Sequence, residues 1–167
     1  MRIAGIIKND IAAAPGVCVT VFVQGCPLHC PGCHNPQTWD FNGGREFTEQ
    51  EYEEIKRALT ANGVHRNLCI MGGEPLAPQN VEGVSKLIQD IRRDLDYKIK
   101  IYVWTGYVFE DVCRAKHGLG EHSEALFNLL DNIDCLIDGP FMLEERDITL
   151  QMRGSRNQRV IYFRRNA

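Results

Sequence analysis

Cys26, Cys30 and Cys33 stand in the pattern C-x3-C-x2-C, in a stretch that also carries His29 and His34. Three closely spaced soft thiolates suit zinc or an iron-sulfur cluster, and structural sites for either metal normally take four protein ligands. Two completions are open. His29 or His34 closes a zinc site, or the fourth position stays free for an exogenous ligand, as it does at catalytic metal centres. Buried, unligated thiols are a third reading. It suits this segment poorly, because Pro27, Pro31, Gly32 and Pro36 mark a loop rather than a core strand. A second unusual string, Gly72-Gly73-Glu74-Pro75, lies further along the chain.

These residues need elements to hold them. Val17, Val19, Val21 and Val23 alternate with Cys18, Thr20 and Phe22, which predicts a strand ending at Gln24 and Gly25. From Gly25 to Arg45 there is no periodicity and much Gly, Pro and Asn, so a long loop is expected, and loops of that length are usually functional or disordered. Thr48 with Glu51 forms a capping box, and Tyr52, Ile55 and Leu59 follow at helical spacing until Asn62 and Gly63 stop the helix. Leu68 to Met71 reads as a second strand ended by Gly72-Gly73. Val81, Val84, Ile88, Ile91 and Leu95 then share one helical face, with Asn80 as the expected cap. Ile99, Ile101 and Val103 predict a third strand, Val108 to Lys116 and Ser123 to Leu130 two helices, and Ile133 to Ile137 a fourth strand ending at Asp138-Gly139-Pro140. Val160 to Phe163 suits an edge strand.

Strands alternating with helices imply parallel βαβ units with right-handed crossovers. Each polar or glycine-rich cluster follows a strand directly, and in parallel α/β folds chemistry sits at the carboxyl ends of strands. Four strand ends are therefore expected to converge on one site. Four or five strands cannot close an eight-stranded barrel, so the expected fold is α/β, an open partial (βα) barrel with a mostly parallel sheet, and residues 1–167 are expected to form a single domain.

Composition narrows the function classes. The 167 residues are 44% hydrophobic and 25% charged, values of a folded globular chain. A net charge of −3 supplies no basic field for nucleic acid. Seven cysteines is an odd count, and Met1 to Asp10 carry two basic side chains without an apolar signal core. No run of 18 apolar residues suggests a membrane span. A cytoplasmic location is expected, where thiols serve as ligands or catalysts rather than in a disulfide framework.

The three-cysteine loop after the first predicted strand, followed one strand-helix unit later by Gly72-Gly73-Glu74, resembles the radical S-adenosylmethionine enzymes. The resemblance narrows to the anaerobic ribonucleotide reductase activating proteins and extends over nearly the whole chain. It rests on Pro15-Gly16, on Gly25-Cys26 through Cys30-Pro31-Gly32-Cys33-His34-Asn35, on Thr38-Trp39, and on Gly72 to Leu76 with Pro78-Gln79-Asn80. It continues through Val103-Trp104-Thr105-Gly106-Tyr107, Asp138-Gly139-Pro140-Phe141, Arg153-Gly154-Ser155 and Asn157-Gln158. Many members of the superfamily have an aromatic residue where this chain has Gly32, and related activases often have arginine where it has Cys18. The larger activases carry an inserted ferredoxin-like cysteine-rich segment, which this sequence lacks.

The resemblance implies a [4Fe-4S] cluster on Cys26, Cys30 and Cys33, with S-adenosyl-L-methionine at the open iron. Gly32 and His34 would flank the adenine through backbone and imidazole contacts, with Cys33 between them also at the cofactor; Gly72 and Gly73 would permit close backbone approach, the Glu74 carboxylate would help hold the methionine amino group, and Thr105 is a further cofactor contact. It implies one-electron cleavage of the cofactor to methionine and a 5′-deoxyadenosyl radical, which takes hydrogen from a glycine near the C-terminus of the anaerobic ribonucleoside-triphosphate reductase. A one-electron donor such as flavodoxin is implied, with neither nucleic acid nor membrane as partner. The rivals are another radical S-adenosylmethionine subfamily, activating a different enzyme or modifying a small molecule, and a non-catalytic zinc-binding module.

Other residues admit plainer readings. Cys18, Cys69, Cys113 and Cys135 lack close spacing and are expected to be ordinary buried thiols. Arg153, Arg156, Arg159, Arg164 and Arg165 form a basic C-terminal stretch, either a solvated face or a surface for an acidic partner or cofactor carboxylate. Trp104 and Tyr107 suit strand-end packing or a place near the cofactor. Asp138 suits a ribose hydroxyl or a turn cap, and Glu49, Glu51, Glu53 and Glu54 suit a solvated first turn of a helix.

Overall fold

The computed structural model of the chain describes residues 1–95, 99–118 and 122–163. Among these residues seven strands and four α-helices follow in order: β1 (Arg2–Asp10), β2 (Val17–Val23), β3 (Arg45–Glu46), α1 (Glu49–Thr60), β4 (Arg66–Gly72), α2 (Pro78–Asp94), β5 (Ile101–Trp104), α3 (Phe109–Gly118), α4 (Ser123–Asn132), β6 (Cys135–Asp138) and β7 (Arg159–Tyr162). The strands form one open sheet in the order β3-β1-β2-β4-β5-β6-β7. Its centre is parallel, β2 with β4, β4 with β5 and β5 with β6, and its margins are antiparallel, which makes an α/β fold on a mixed sheet.

The period-2 pattern decides which face meets the helices. Val19, Val21 and Val23 of β2, Leu68 and Ile70 of β4, Ile101 and Val103 of β5 and Leu136 of β6 share one core with residues from α1, α2, α3 and α4. Ile55, Leu59, Ile88, Ile91 and Leu129 are wholly buried there. Each contributes about 1.5–3 kcal/mol through removal from water. The alternate residues Cys18, Cys69, Tyr102, Cys135 and Ile137 face the other way, against Ala14 and Met152. Cys18, Cys69 and Cys135 are thus buried thiols as expected, and Cys113 is half-buried on α3.

Local chemistry sets the helix ends. The Thr48 hydroxyl accepts from Gln50 N–H and the Glu51 carboxylate accepts from Thr48 N–H, so the capping box forms, and Asn62 at φ 56° stops the turn after α1. The N-cap of α2 is Ala77 rather than Asn80, because Pro78 occupies the first helical position and needs no N–H acceptor. Asn80 lies inside the first turn and is used elsewhere. At the opposite end Arg92 donates to Asn132 O, Ile99 O and Asp134 Oδ2, tying α2, α4 and the starts of β5 and β6 together.

Strand β1 escapes a sequence reading. Its pairing with β2 shifts register between Ile3 and Gly5 and again between Ile7 and Asp10, so its residues show no steady alternation. β7 pairs antiparallel with β6 at the sheet margin, as expected for an edge strand. Among the described residues no helix is long and apolar enough to cross a membrane.

Candidate functional site

Four strand ends are joined by hydrogen bonds. At the end of β2, Gly25 O accepts from Glu74 N–H at 2.8 Å, which links it to the turn after β4. The Glu74 side chain crosses to the end of β5: Oε1 accepts from the Thr105 hydroxyl at 2.7 Å and from Leu76 N–H at 2.9 Å, and Oε2 accepts from Gly106 N–H at 2.7 Å. Thr105 N–H donates to Ile137 O, and Gly139 N–H to Tyr107 O, which brings in the end of β6. The predicted convergence is present at the ends of β2, β4, β5 and β6.

The turn Gly72-Gly73 is shaped by close approach. Gly72 has φ 106°, and a Cβ on Gly73 would lie 2.4 Å from Gly25 O. Only glycine lets the two backbones touch there.

Glu74 is 1% exposed, and burial pushes its carboxyl up to about 7 against the pull of its three donors. A carboxylate offers about four lone-pair sites, so three bonds leave one, on Oε2. The Thr105 hydroxyl is likewise engaged, donating to Glu74 and accepting from Tyr107 N–H at 3.1 Å.

The cysteine loop rises from Gly25. Cys26 is buried and Cys30 and Cys33 are half-buried, all as free thiols. Cys26 N–H donates to Trp39 O, and Cys33 N–H closes a turn on Cys30 O that carries exposed Gly32 at its tip, beside Leu143. Asn35 N–H points at Cys33 Sγ at 3.4 Å. Burial pushes the Cys26 thiol up, with the Glu74 carboxylate adding to it, against the downward pull of backbone hydrogen bonds with Leu28 and His29. N–H groups aimed at sulfur are what an iron-sulfur ligand set uses to hold and tune its thiolates.

His34 is exposed beyond Cys33, and the His29 ring stacks on Trp39 with centroids 4.7 Å apart. Among the described residues the buried Trp39 Nε1 has no acceptor, which leaves the loop one donor to spare. Among the described residues no three His, Cys, Asp or Glu side chains gather round a single ion position. A cubane cluster asks for a different arrangement, because each thiolate bonds a separate iron. Three soft donors on one loop with N–H groups on two of their sulfurs fit such a group.

Two buried amides whose role the sequence did not reveal hold the loop. Gln24 and Asn80 are each 2% exposed. Gln24 Nε2 donates to Gln37 O and Asp40 O, and Asn80 Nδ2 lies within hydrogen-bond distance of Gln24 O, Gly25 O and Glu74 O. Pro78-Gln79-Asn80 is visible as a string, but two of the three carbonyls that Asn80 meets lie more than fifty residues away in sequence, and nothing local announces them.

The remaining polar residues serve packing and pairing. Asp138, 1% exposed, accepts from Phe109 N–H at the start of α3 and pairs with Arg159, which also reaches Glu110. Both its oxygens are thus engaged, one by the start of α3 and both by Arg159. Trp104 Nε1 donates to Met152 O, and Tyr107 packs on the main core. Arg153 donates to Gln158 O and Arg156 pairs with Asp147; Arg164 and Arg165 lie outside the described residues. Glu51 serves the capping box and Glu54 pairs with Lys8, while Glu53 pairs with Lys56.

Residues 12–161 match the family described as 4Fe-4S single cluster domain. The chain is 38% identical over 156 residues to the anaerobic ribonucleoside-triphosphate reductase-activating protein of Escherichia coli K12, covering 93% of this chain and 94% of that protein. The protein of the same name from Vibrio cholerae is 34% identical over 155 residues, covering 92% and 93%. That of Enterobacteria phage T4 is 33% identical over 153 residues, covering 90% and 87%. With a family match over most of its length and relatives that align nearly end to end, the chain belongs to the 4Fe-4S single cluster domain family and to its anaerobic ribonucleoside-triphosphate reductase-activating proteins.

Proposed function

We propose that the chain is a radical S-adenosylmethionine activase that installs a glycyl radical in a C-terminal loop of an anaerobic ribonucleoside-triphosphate reductase. The observation that carries this reading is the bond from Glu74 N–H to Gly25 O, which sets the three-cysteine loop against the Gly72-Gly73-Glu74 turn. The names of the aligned relatives support the reductase as partner.

In this reading Cys26, Cys30 and Cys33 hold a [4Fe-4S] cluster, with an iron left open for S-adenosylmethionine. When bound, the cluster supplies one electron to the sulfonium, whose cleavage gives methionine and the radical that removes a glycine hydrogen. The chain's own part is orientation. Backbone N–H groups of Leu28 and His29 serve the Cys26 sulfur, and that of Asn35 points at Cys33 Sγ, as donors to cluster sulfurs do. Gly32, Cys33 and His34 flank the adenine. Gly72, Gly73 and the free lone pair of Glu74 receive the methionine amino group, and Thr105 acts through Glu74 by holding its carboxylate. The open sheet serves as the partial (βα) barrel, residues 1–167 act as one domain, and the face with Cys69, Tyr102 and Cys135 lines its inside. A one-electron donor such as flavodoxin reduces the cluster in the cytoplasm, with no part for nucleic acid or membrane.

The test uses protein loaded anaerobically with iron and sulfide, then mixed with the reductase, S-adenosylmethionine and a reductant. A glycyl radical signal in electron paramagnetic resonance is expected, and Cys30→Ala abolishes iron uptake and cofactor cleavage. Full cleavage by Cys30→Ala would overturn the cluster assignment. Cleavage by the wild type without any radical on the reductase would overturn the partner.

A further inference from the structure

We infer that Asn80 is a positioning residue: its buried carboxamide fixes the spacing between the start of the three-cysteine loop and the turn after β4, so that the thiols keep one geometry while iron and sulfide are taken up. The inference deepens the activase reading and rests on Cys26, Cys30 and Cys33 as cluster ligands.

Asn80 Nδ2 lies 3.1 Å from Gln24 O, 3.2 Å from Gly25 O and 3.0 Å from Glu74 O. Two hydrogens serve three carbonyls, so at least one is shared. The acceptors belong to two strand ends. Gln24 and Gly25 follow β2 and lead straight into Cys26, and Glu74 follows β4. Asn80 itself is anchored in the first turn of α2 by its N–H to Ala77 O at 2.8 Å. One side chain therefore ties a rigid helix to both segments that meet at the site.

Gln24 does the matching work where the loop returns. Its Nε2 donates to Gln37 O at 3.2 Å and Asp40 O at 2.7 Å. Beside it, Gly25 N–H donates to Thr38 O and Cys26 N–H to Trp39 O, so both strands of the loop's base are pinned by hydrogen bonds. A long loop without regular structure loses entropy when it is ordered around a ligand, and a clamped base reduces that loss at the moment of binding.

The chemistry required of position 80 is specific. Three carbonyl oxygens call for a neutral double donor of this length. Leucine has the same branching and heavy-atom count with no donor, so Asn80→Leu removes the clamp without opening a cavity, and separates positioning from space-filling.

The full-length Asn80→Leu chain is compared with wild type in two measurements. The first is amide hydrogen exchange at Gly25, Cys26 and Glu74, with Ile70 in β4 and Leu129 in α4 as references. The second follows anaerobic loading with iron and sulfide: the rate at which a chelator strips the iron, with the electron paramagnetic resonance spectrum of the reduced cluster. Exchange at the three site amides is expected to rise about tenfold, the effect of losing one net hydrogen bond. The reference amides stay as in wild type, iron loss accelerates by a similar factor, and the cluster spectrum changes shape. Site exchange and iron loss at wild-type rates would overturn the inference. If Asn80→Leu does not fold, Asn80→Ser, which keeps one short donor, is judged by the same rates and the same criterion. A wild type that takes up no iron overturns the cluster reading instead, and exchange at Gly25, Cys26 and Glu74 then still decides whether the clamp exists.

Discussion

Replacing Glu74 by glutamine separates the effect of a buried charge from that of shape. Glu74 is 1% exposed, and burial pushes its carboxyl from an ordinary 4.5 up to about 7. The folded chain therefore keeps this proton to higher pH than the unfolded chain does. Between about pH 4.5 and 7 the native state binds the more protons, so stability falls as pH rises through that window. The contribution is complete below the unfolded value and lost above the folded one, and at 1.36 kcal/mol per pKa unit the whole change is about 3 kcal/mol. Glutamine does not titrate and lacks this slope. It also keeps an oxygen for Leu76 N–H and the Thr105 hydroxyl but turns its NH2 toward Gly106 N–H, a constant loss of about 1–3 kcal/mol. Urea unfolding of both chains from pH 4.5 to 8, followed by circular dichroism in reducing anaerobic buffer, yields the stability difference at each pH. Wild type is expected to lose about 3 kcal/mol relative to Glu74→Gln across the window. A difference that stays flat would refute the reasoning, because the three donors would then cancel the effect of burial.

Gly73→Ala places a Cβ 2.4 Å from Gly25 O and must pry the two turns apart, so iron uptake after anaerobic loading should fall sharply. Gly5→Ala, which meets nothing within 4 Å, should load like wild type; equal loading by both variants would show that the close approach is unimportant. Arg159→Met leaves the Asp138 carboxylate buried with Phe109 N–H and without its guanidinium, at a cost of about 1–3 kcal/mol in urea unfolding. Adding Asp138→Asn should restore part of that loss, and a single variant as stable as wild type would mean that the half-exposed arginine contributes nothing.

The helices and central strands were legible because their signals are local. The Thr48–Glu51 capping box, the valine alternation of β2 and the apolar stripe of α2 each lie within one element, and each formed as expected. β1 was not legible, since register shifts erase its alternation and its pairing with β2 does the specifying. Asn80 shows the same limit at the site. By residue type and position it suits a helix cap, yet Pro78 takes over the helix start and the carboxamide turns to Glu74 O and to two carbonyls far away in sequence, Gln24 O and Gly25 O.

By itself the sequence determined the donor set and its neighbourhood: three soft thiols on a loop after a strand, a glycine pair with a carboxylate after the next strand, and helices between. Those follow from residue type and spacing, which act over a few residues. The tertiary structure alone decided what the buried polar side chains at the strand ends are bonded to. Thr105 and Glu74 satisfy each other rather than standing free, Asp138 caps α3 and pairs with Arg159, and Asn80 joins two strand ends. The physical reason is that a buried polar group must find a partner wherever the packed chain offers one, and that partner is set by how strands align in space.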